Sequence, residues 1–222
     1  MNMQWSEKYR PTKIEDIAGQ IVIKATVKKF INNSGIVNML LVGPPGTGKT
    51  SLAHAIANEV LGDTKDANFL EVNASDDRGI EALRKTVVES TKYAPFNGKI
   101  RLILLDEADG ILNIAMEMLR RPLETATKTR FIFTANNFDS FIAPLTDRLM
   151  VFKFEPLTKE DILKQLRKIA TAENVKLTDI LLKEISKECK GSMRSAINLL
   201  QQKVYAEEAE EEELAKFYKK EK

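Results

Sequence analysis

Residues 43–50, Gly43-Pro44-Pro45-Gly46-Thr47-Gly48-Lys49-Thr50, match the pattern G-x-x-x-x-G-K-[ST]. Glycines at these places let successive backbone N–H groups curl around anionic oxygens, and a helix opening near Lys49 aims its positive end at them. The Lys49 ammonium reaches the outer phosphates, and the Thr50 hydroxyl is a hard oxygen ligand for a magnesium ion travelling with them. Pro44, Pro45, Gly46 and Thr47 shape the cradle, and Ser51 follows at the start of the helix. The expected ligand is ATP with Mg2+.

A second group of reactive residues closes an apolar run at 100–105. Asp106-Glu107-Ala108-Asp109 puts carboxylates at a strand end, and in open α/β folds ligands bind at that edge of the sheet. Asp106 suits the magnesium shell. Glu107 suits a general base for an attacking water. Downstream of a glycine-rich phosphate loop, the pair reads as a hydrolytic site.

Positioning these residues requires strands that end beside one another. Apolar, β-rich runs occur at 39–42, 69–72, 100–105, 130–134 and 150–154. Helical patterns at 51–61, 80–90 and 114–125 alternate with them, which predicts an α/β domain with a parallel sheet of five strands covered by helices on both faces. Pro122 falls inside the third helical pattern and removes a backbone donor, so a kink or early break is expected there. After Pro156 the periodicity turns helical throughout. Thr158 with Asp161 forms a capping pattern ahead of Ile162, Leu163, Leu166 and Ile169. Thr178 opens a second helix with Leu181, Leu182 and Ile185 inward. Ser192 opens a third with Ala196, Ile197, Leu200 and Val204 inward. The expected organisation is a nucleotide-binding domain over 1–157, a small helical domain over 158–206 and a charged tail over 207–222. That tail, acidic at 207–213 and then basic, reads as a solvated helical end in preference to a partner-binding handle.

Composition sets the outer limits. The chain has 222 residues, 43% hydrophobic and 30% charged, enough for one sizeable core and a small second domain. A net charge of +2 means that nucleic-acid binding would need a local basic surface. With one cysteine, Cys189, and one histidine, His54, neither an intramolecular disulfide nor a Cys/His zinc cluster can form within it. No apolar run approaches the roughly 18 to 20 residues of a membrane span. The expected location is the cytoplasm, or the nucleus in a cell that has one.

Over residues 5–202 the sequence resembles the AAA+ ATPases, and more narrowly the replication factor C clamp-loader subunits of archaea and eukaryotes. The resemblance rests on the order and spacing of WSEKYRP (5–11), GPPGTGKT (43–50), NASDDRGI (73–80), LLDEADG (104–110), LRR (119–121), FTANN (133–137), TDR (146–148) and GSMRSAINLLQ (191–201). It implies an AAA+ fold whose helical domain is a lid over the nucleotide. Tyr9, Arg10 and Pro11 would border the adenine, and Asn136 would be a sensor polarising the attacking water. Arg194 would report the γ-phosphate to the lid, and Arg148 would be an arginine finger donated to a neighbouring subunit's ATP. Small subunits carry Ser-Arg-Cys where this chain has Asp147-Arg148-Leu149, which sets a carboxylate beside that guanidinium. Asn73 stands either where relatives carry a polar switch for Glu107 or as a turn-forming residue at a strand end.

The resemblance further implies an ATP-driven role in DNA replication. The partners would be other clamp-loader subunits, a sliding clamp and the phosphate backbone of primer-template DNA, the last met without base reading. Arg78, Gly79 and Ile80 would open a DNA-facing helix with Arg84 and Lys85 behind them. Val88, Tyr93 and Phe96 would be the clamp-docking anchor. DDRGI and LRR side with the small subunit, while the surroundings of Ala135 and Pro144 side with the large one. Family members carry a helical collar after the lid and this sequence stops before one, so the expectation is a collar on a separate polypeptide or a shortened relative. Two other readings stay open: an AAA+ remodeller of branched or origin DNA, and a nucleotide-binding scaffold that does not turn ATP over. Lys49, Asp106, Glu107 and Asn136 weigh against the scaffold.

Overall fold

The computed structural model describes residues 3–33, 35–74, 87–98 and 100–220. The chain divides into two compact units, Pro11–Glu155 and Met1–Arg10 with Pro156–Lys222. Among the described residues, helices with both ends defined are α1 Trp5–Lys8, α2 Ile21–Asn33, α3 Lys49–Leu61, α4 Lys65–Asn68, α5 Asn113–Thr125, α6 Ala143–Thr146, α7 Lys159–Ala172, α8 Asp179–Glu188 and α9 Met193–Lys220. Five strands, β1 Met39–Val42, β2 Phe69–Asn73, β3 Arg101–Asp106, β4 Thr129–Ala135 and β5 Met150–Lys153, form one sheet in the order β2-β3-β4-β1-β5.

All the pairings in that sheet are parallel, as the alternation of strands and helices predicts. Side chains alternate between its faces with a period of two. Leu40, Val42, Ile103, Leu105, Phe131 and Phe133 feed one core, into which α5 sends Ala115, Met116 and Leu119. Met39, Leu41, Leu102, Leu104 and Ile132 feed the other, against Leu52, Ala53, Ile56 and Ala57 of α3. Burial on both faces is why these strands read as continuous apolar runs. Ala53, Ala55 and Ala57 of α3 are fully buried in this second core, which seats the helix against the sheet.

The strands lie within a residue of their expected limits, and α5 runs through Pro122. No early break occurs there. Pro122 stands three residues from the helix end, and its carbonyl accepts from Ala126 in the closing turn, so the missing donor costs the helix little length. Of the expected helix at 80–90 only 87–90 falls among the described residues, and those are helical. Arg78, Gly79, Ile80, Arg84 and Lys85 lie outside the described residues, as does most of the NASDDRGI motif.

The helical unit is built as its pattern predicts. Thr158, Thr178 and Ser192 each cap a helix, their hydroxyl oxygens accepting from the backbone N–H of Asp161, Leu181 and Ser195 at 3.2 Å. Ile162, Leu166, Ile169, Leu181, Leu182, Ile185, Ala196, Ile197, Leu200 and Val204 are buried. Residues 3–10 group with these helices, whereas the sequence reading kept them with the sheet over 1–157. Trp5 is buried, its backbone N–H donates to Gln201 Oε1 at 2.9 Å and its ring meets Tyr205 edge-on at 5.9 Å. Gln4 Nε2 donates to Asn198 Oδ1 at 3.1 Å. Beyond residue 206 the third helix continues unbroken to Lys220, an acidic and lysine-rich stretch of good helix formers.

Candidate nucleotide site

Strand order places the carboxyl ends of β3, β4 and β1 side by side, and the chemistry-bearing residues of the sheet unit gather there. The loop at 43–48 leaves β1 with Gly43 at φ 150°, Gly46 at 73° and Gly48 at 102°. A Cβ on Gly43 would stand 2.3 Å from the backbone oxygen of Phe154, so only glycine lets the loop leave the sheet this way. The Gly43 N–H donates to Ala135 O at 3.2 Å, and buried Thr47 closes the loop with its hydroxyl on Pro44 O at 2.8 Å.

Lys49, 8% exposed, opens α3. Its ammonium donates to Gly43 O at 2.7 Å, Pro44 O at 2.8 Å and Asn136 Oδ1 at 3.0 Å. Asn136, just beyond β4, is thereby within reach of the lysine that the motif assigns to phosphate. Thr50 donates to Asp106 Oδ1 at 2.8 Å. A hydroxyl and a carboxylate so placed form a hard-oxygen donor pair suited to a divalent cation such as Mg2+. Among the described residues no group of three or more His, Cys, Asp or Glu side chains gathers to hold a metal. A cation here would rest on Thr50, Asp106 and its ligand's own oxygens.

Glu107 is exposed and adopts a left-handed backbone with φ 53°, unusual for a non-glycine residue. Its N–H donates to Thr134 Oγ1 at 3.1 Å and its carbonyl accepts from Gly110 N at 3.0 Å. Thr134 Oγ1 also donates to Asp106 Oδ1. A threonine inside a strand is an ordinary β-former, so residue type alone does not single out Thr134. Its position directly before Ala135-Asn136 and across from the end of β3 was the only signal. Asn73, the last residue of β2, is in register with Asp106, and the Ala74 N–H donates to Asp106 O at 2.9 Å.

Arg148 follows α6, and its Nε donates to Glu124 Oε1 of α5 at 2.6 Å, with a further nitrogen on Pro144 O. The carboxylate that holds it is thus Glu124 and not the adjacent Asp147 that the sequence suggested. Glu117 and Arg120 continue the same face of α5, paired at 2.9 Å, and Glu117 holds the Arg120 guanidinium above its ordinary pKa with Glu124 adding to the effect. Val88 is half-buried, while Tyr93 and Phe96 are 72% and 57% exposed. Asn68 clips that segment through both backbone groups of Phe96, at 2.7 and 3.1 Å, and Arg101 donates to the carbonyls of Ser90, Tyr93 and Ala94. The two rings therefore face solvent on a braced loop and do not cap their own core.

Other expected site residues belong to the helical unit. Tyr9 donates its hydroxyl to Glu173 Oε1 at 2.6 Å, and Lys8 reaches the same oxygen at 2.6 Å. Arg10 pairs with Glu7 at 2.8 Å. Hydrogen bonding from Lys8, and then from Tyr9, holds the Glu173 carboxyl below its usual range. The same bond raises Lys8, and burial followed by the Glu173 contact raises Tyr9. Arg194 is exposed in the first turn of α9, and Pro11 is half-buried at the start of the sheet unit. Among the described residues no helix is long and apolar enough to cross a membrane.

Residues 39–157 match the model of the ATPase family associated with various cellular activities (AAA), and residues 164–203 match the RCF1/5-like AAA+ ATPase lid domain. The replication factor C small subunit 2 of Pyrobaculum islandicum is 40% identical over 199 residues, covering 89% of this chain and 62% of that one. The replication factor C small subunit of Methanothermobacter thermautotrophicus is 41% identical over 202 residues, 90% of this chain and 63% of the relative. That of Aeropyrum pernix is 40% identical over 207 residues, with 92% and 64% covered. The chain spans a little under two thirds of the length of these relatives. Among solved structures, a RuvB variant from Thermotoga maritima superposes with a TM-score of 0.71 at 21% identity, over 85% of this chain and 62% of that one, which speaks for the fold alone.

Proposed function

From the premise that this chain belongs to the AAA family of ATPases, we propose that it binds and hydrolyses ATP as a clamp-loader subunit, helping to open a sliding clamp and place it on primer-template DNA. One observation carries the ATPase part. Lys49, Thr50, Asp106, Glu107 and Asn136 converge at three adjacent strand ends, with Lys49 on Asn136 at 3.0 Å and Thr50 on Asp106 at 2.8 Å. A scaffold that only bound nucleotide would have no use for a carboxylate at Glu107. The clamp-loading part rests on the relatives named replication factor C small subunit.

In this reading the backbone of 43–48 cradles the phosphates and Lys49 neutralises the outer ones. Thr50 and Asp106 would hold Mg2+, which when bound supplies charge neutralisation for the triphosphate. Glu107 takes the proton of the attacking water, and the Asn136 amide orients water against γ-phosphate. Tyr9, Arg10 and Pro11 border the base, and Arg194 carries the state of the γ-phosphate to the lid. Arg148 acts in trans on a neighbouring subunit's ATP, where a planar, permanently charged guanidinium suits developing phosphate charge. The register of Asn73 with Asp106, the residue before Glu107, supports the switch reading of Asn73. Exposed Tyr93 and Phe96, with Val88, serve as the apolar anchor on the clamp.

The deciding experiment purifies the chain with its bound partners from the native source and measures ATP turnover with and without primed DNA and sliding clamp. Recovery of the other subunits and of a clamp, with turnover rising several-fold on adding both DNA and clamp, is the expected outcome. Turnover that responds to DNA but ignores the clamp points instead to another AAA+ remodeller. Within the same assembly, Arg148→Ala should depress turnover and leave ATP binding by the isolated chain intact; equal loss in the isolated chain excludes the trans role.

A further inference from the structure

We infer that Thr134 is a positioning residue for both carboxylates of the site, an inference that rests on the ATPase reading above. Its hydroxyl is joined to Asp106 and to Glu107 at once. Oγ1 donates its proton to Asp106 Oδ1 and accepts the N–H of Glu107 at 3.1 Å. A hydroxyl carries one donor and two acceptor sites, so this bridge uses the group as both. Thr134 is 1% exposed, so the bridging hydroxyl itself is held away from solvent.

Two further contacts show what the bridge fixes. Asp106 Oδ1 also receives the Thr50 hydroxyl at 2.8 Å, so Thr134 holds the carboxylate from the sheet side while Thr50 meets it from the phosphate loop. Glu107 has a left-handed backbone at φ 53°, a conformation that side chains of its kind rarely adopt unless their surroundings hold them there. Its peptide is tied at both ends, by Thr134 at the N–H and by Gly110 at the carbonyl. Where the exposed Glu107 carboxylate points is therefore set by a buried hydroxyl on the neighbouring strand. Groups that orient ligating or reacting side chains in this way typically change metal affinity or activity by about 10- to 100-fold when removed.

A competing account makes Thr134 only a β-branched core residue, for which valine would serve equally. The test compares Thr134→Val with Thr134→Ser in the full chain together with its co-purified partners. The readouts are kcat, binding of a fluorescent ATP analogue without Mg2+, and the Mg2+ concentration that half-saturates its tightening. Thr134→Val should lower kcat about 10- to 100-fold and raise the Mg2+ requirement several-fold, with Mg2+-free binding unchanged, and Thr134→Ser should restore most of both. Wild-type kcat and Mg2+ dependence in Thr134→Val would overturn the positioning role. If Thr134→Val does not fold, Thr134→Ser against Thr134→Ala isolates the hydroxyl: serine well above alanine supports the role, and equality ends it. If neither the wild type nor its native complex turns ATP over and Glu107→Gln changes nothing, the ATPase reading fails separately, while the Mg2+-dependent binding still decides the role of Thr134.

Discussion

In the sheet unit the polar network at the strand ends is anchored on two buried side chains, Lys49 and Thr134, each with more than one partner. Lys49 spends its ammonium on two loop carbonyls and Asn136, and Thr134 ties Asp106 to Glu107. In the helical unit the corresponding polar groups lie on the surface, where Lys8 and Tyr9 converge on Glu173, with the side chains of Lys8 and Glu173 46% and 17% exposed. A partner removed from the first arrangement leaves a buried group unsatisfied, whereas water replaces a partner lost from the second. The sheet unit should therefore answer substitution with lost chemistry and lost fold, and the helical unit should depend mainly on its apolar seam and its one tight glycine.

Glu107 separates chemistry from fold most cleanly, because its backbone is tied while its carboxylate is exposed. Glu107→Gln keeps shape and hydrogen-bonding capacity but cannot take a proton. Turnover should fall about 10²- to 10⁴-fold while ATP binding and the unfolding midpoint stay at wild-type values. Unchanged turnover in a steady-state ATPase assay would remove the assignment of Glu107 as base.

Gly43→Ala is the structural counterpart. The new Cβ would sit 2.3 Å from Phe154 O, on backbone that cannot swing aside, and at a φ of 150°. A loss of about 2 to 3 kcal/mol in denaturant unfolding is expected, together with weakened ATP binding, because β5 or the loop must shift. Wild-type stability and affinity would show that the loop has slack, and would narrow the contrast between the two units.

Much of the sheet unit was legible in advance because its signals are local. Apolar runs marked all five strands, and the G-x-x-x-x-G-K-[ST] pattern marked the turn between β1 and α3. The order β2-β3-β4-β1-β5 was not legible, since parallel neighbours are set by crossovers and their pairing leaves no mark in either strand. The role of Thr134 is hidden for the same reason: Glu107 and Asp106 lie 27 and 28 positions away, at the end of the neighbouring strand. Arg148 finds Glu124 at a separation of 24. The placing of residues 3–10 with the lid helices depended on Gln201 and Asn198, 196 and 194 positions from their partners, and no pattern within 5–11 points to them. The early break expected at Pro122 does not occur because the cost of the proline depends on where the helix stops, and the amphipathic pattern fixes that end only loosely.

Gly191 tests whether the helical unit contains a site as unforgiving as Gly43. It has φ 81°, and a Cβ there would stand 2.6 Å from Pro156 Cβ and 3.1 Å from Leu157 N, next to the bond from Leu157 N to Gly191 O. Gly191→Ala should cost about 1 to 2 kcal/mol from the left-handed backbone. The loss should appear in thermal unfolding, and ATP binding by the sheet unit should be reduced less than by Gly43→Ala. A loss of ATP binding as large as that of Gly43→Ala would break the comparison, because the nucleotide site would then depend on the lid connection as much as on its own loop.

The smallest effect expected is that of Glu173→Gln, and its pH dependence matters more than its size. The Glu173 carboxyl is held below its ordinary pKa by Lys8 and Tyr9, so its contribution is complete above the unfolded value of about 4 and fades as pH falls through the folded value. Lys8 and Tyr9 are shifted upward, so their share is complete below their unfolded values near 10 and fades as pH rises through the folded ones. The difference in unfolding midpoint between wild type and Glu173→Gln should therefore be small and flat from about pH 5 to 9, and shrink towards zero at either extreme. Salt should reduce it further, since an exposed pair is screened. A difference that held constant down to about pH 3 would mean that Glu173 acts through packing and not charge. A difference of several kcal/mol at neutral pH would mean that residues 3–10 are locked to the helices by a desolvated ion pair, and the helical unit would then follow the same rule as the sheet unit.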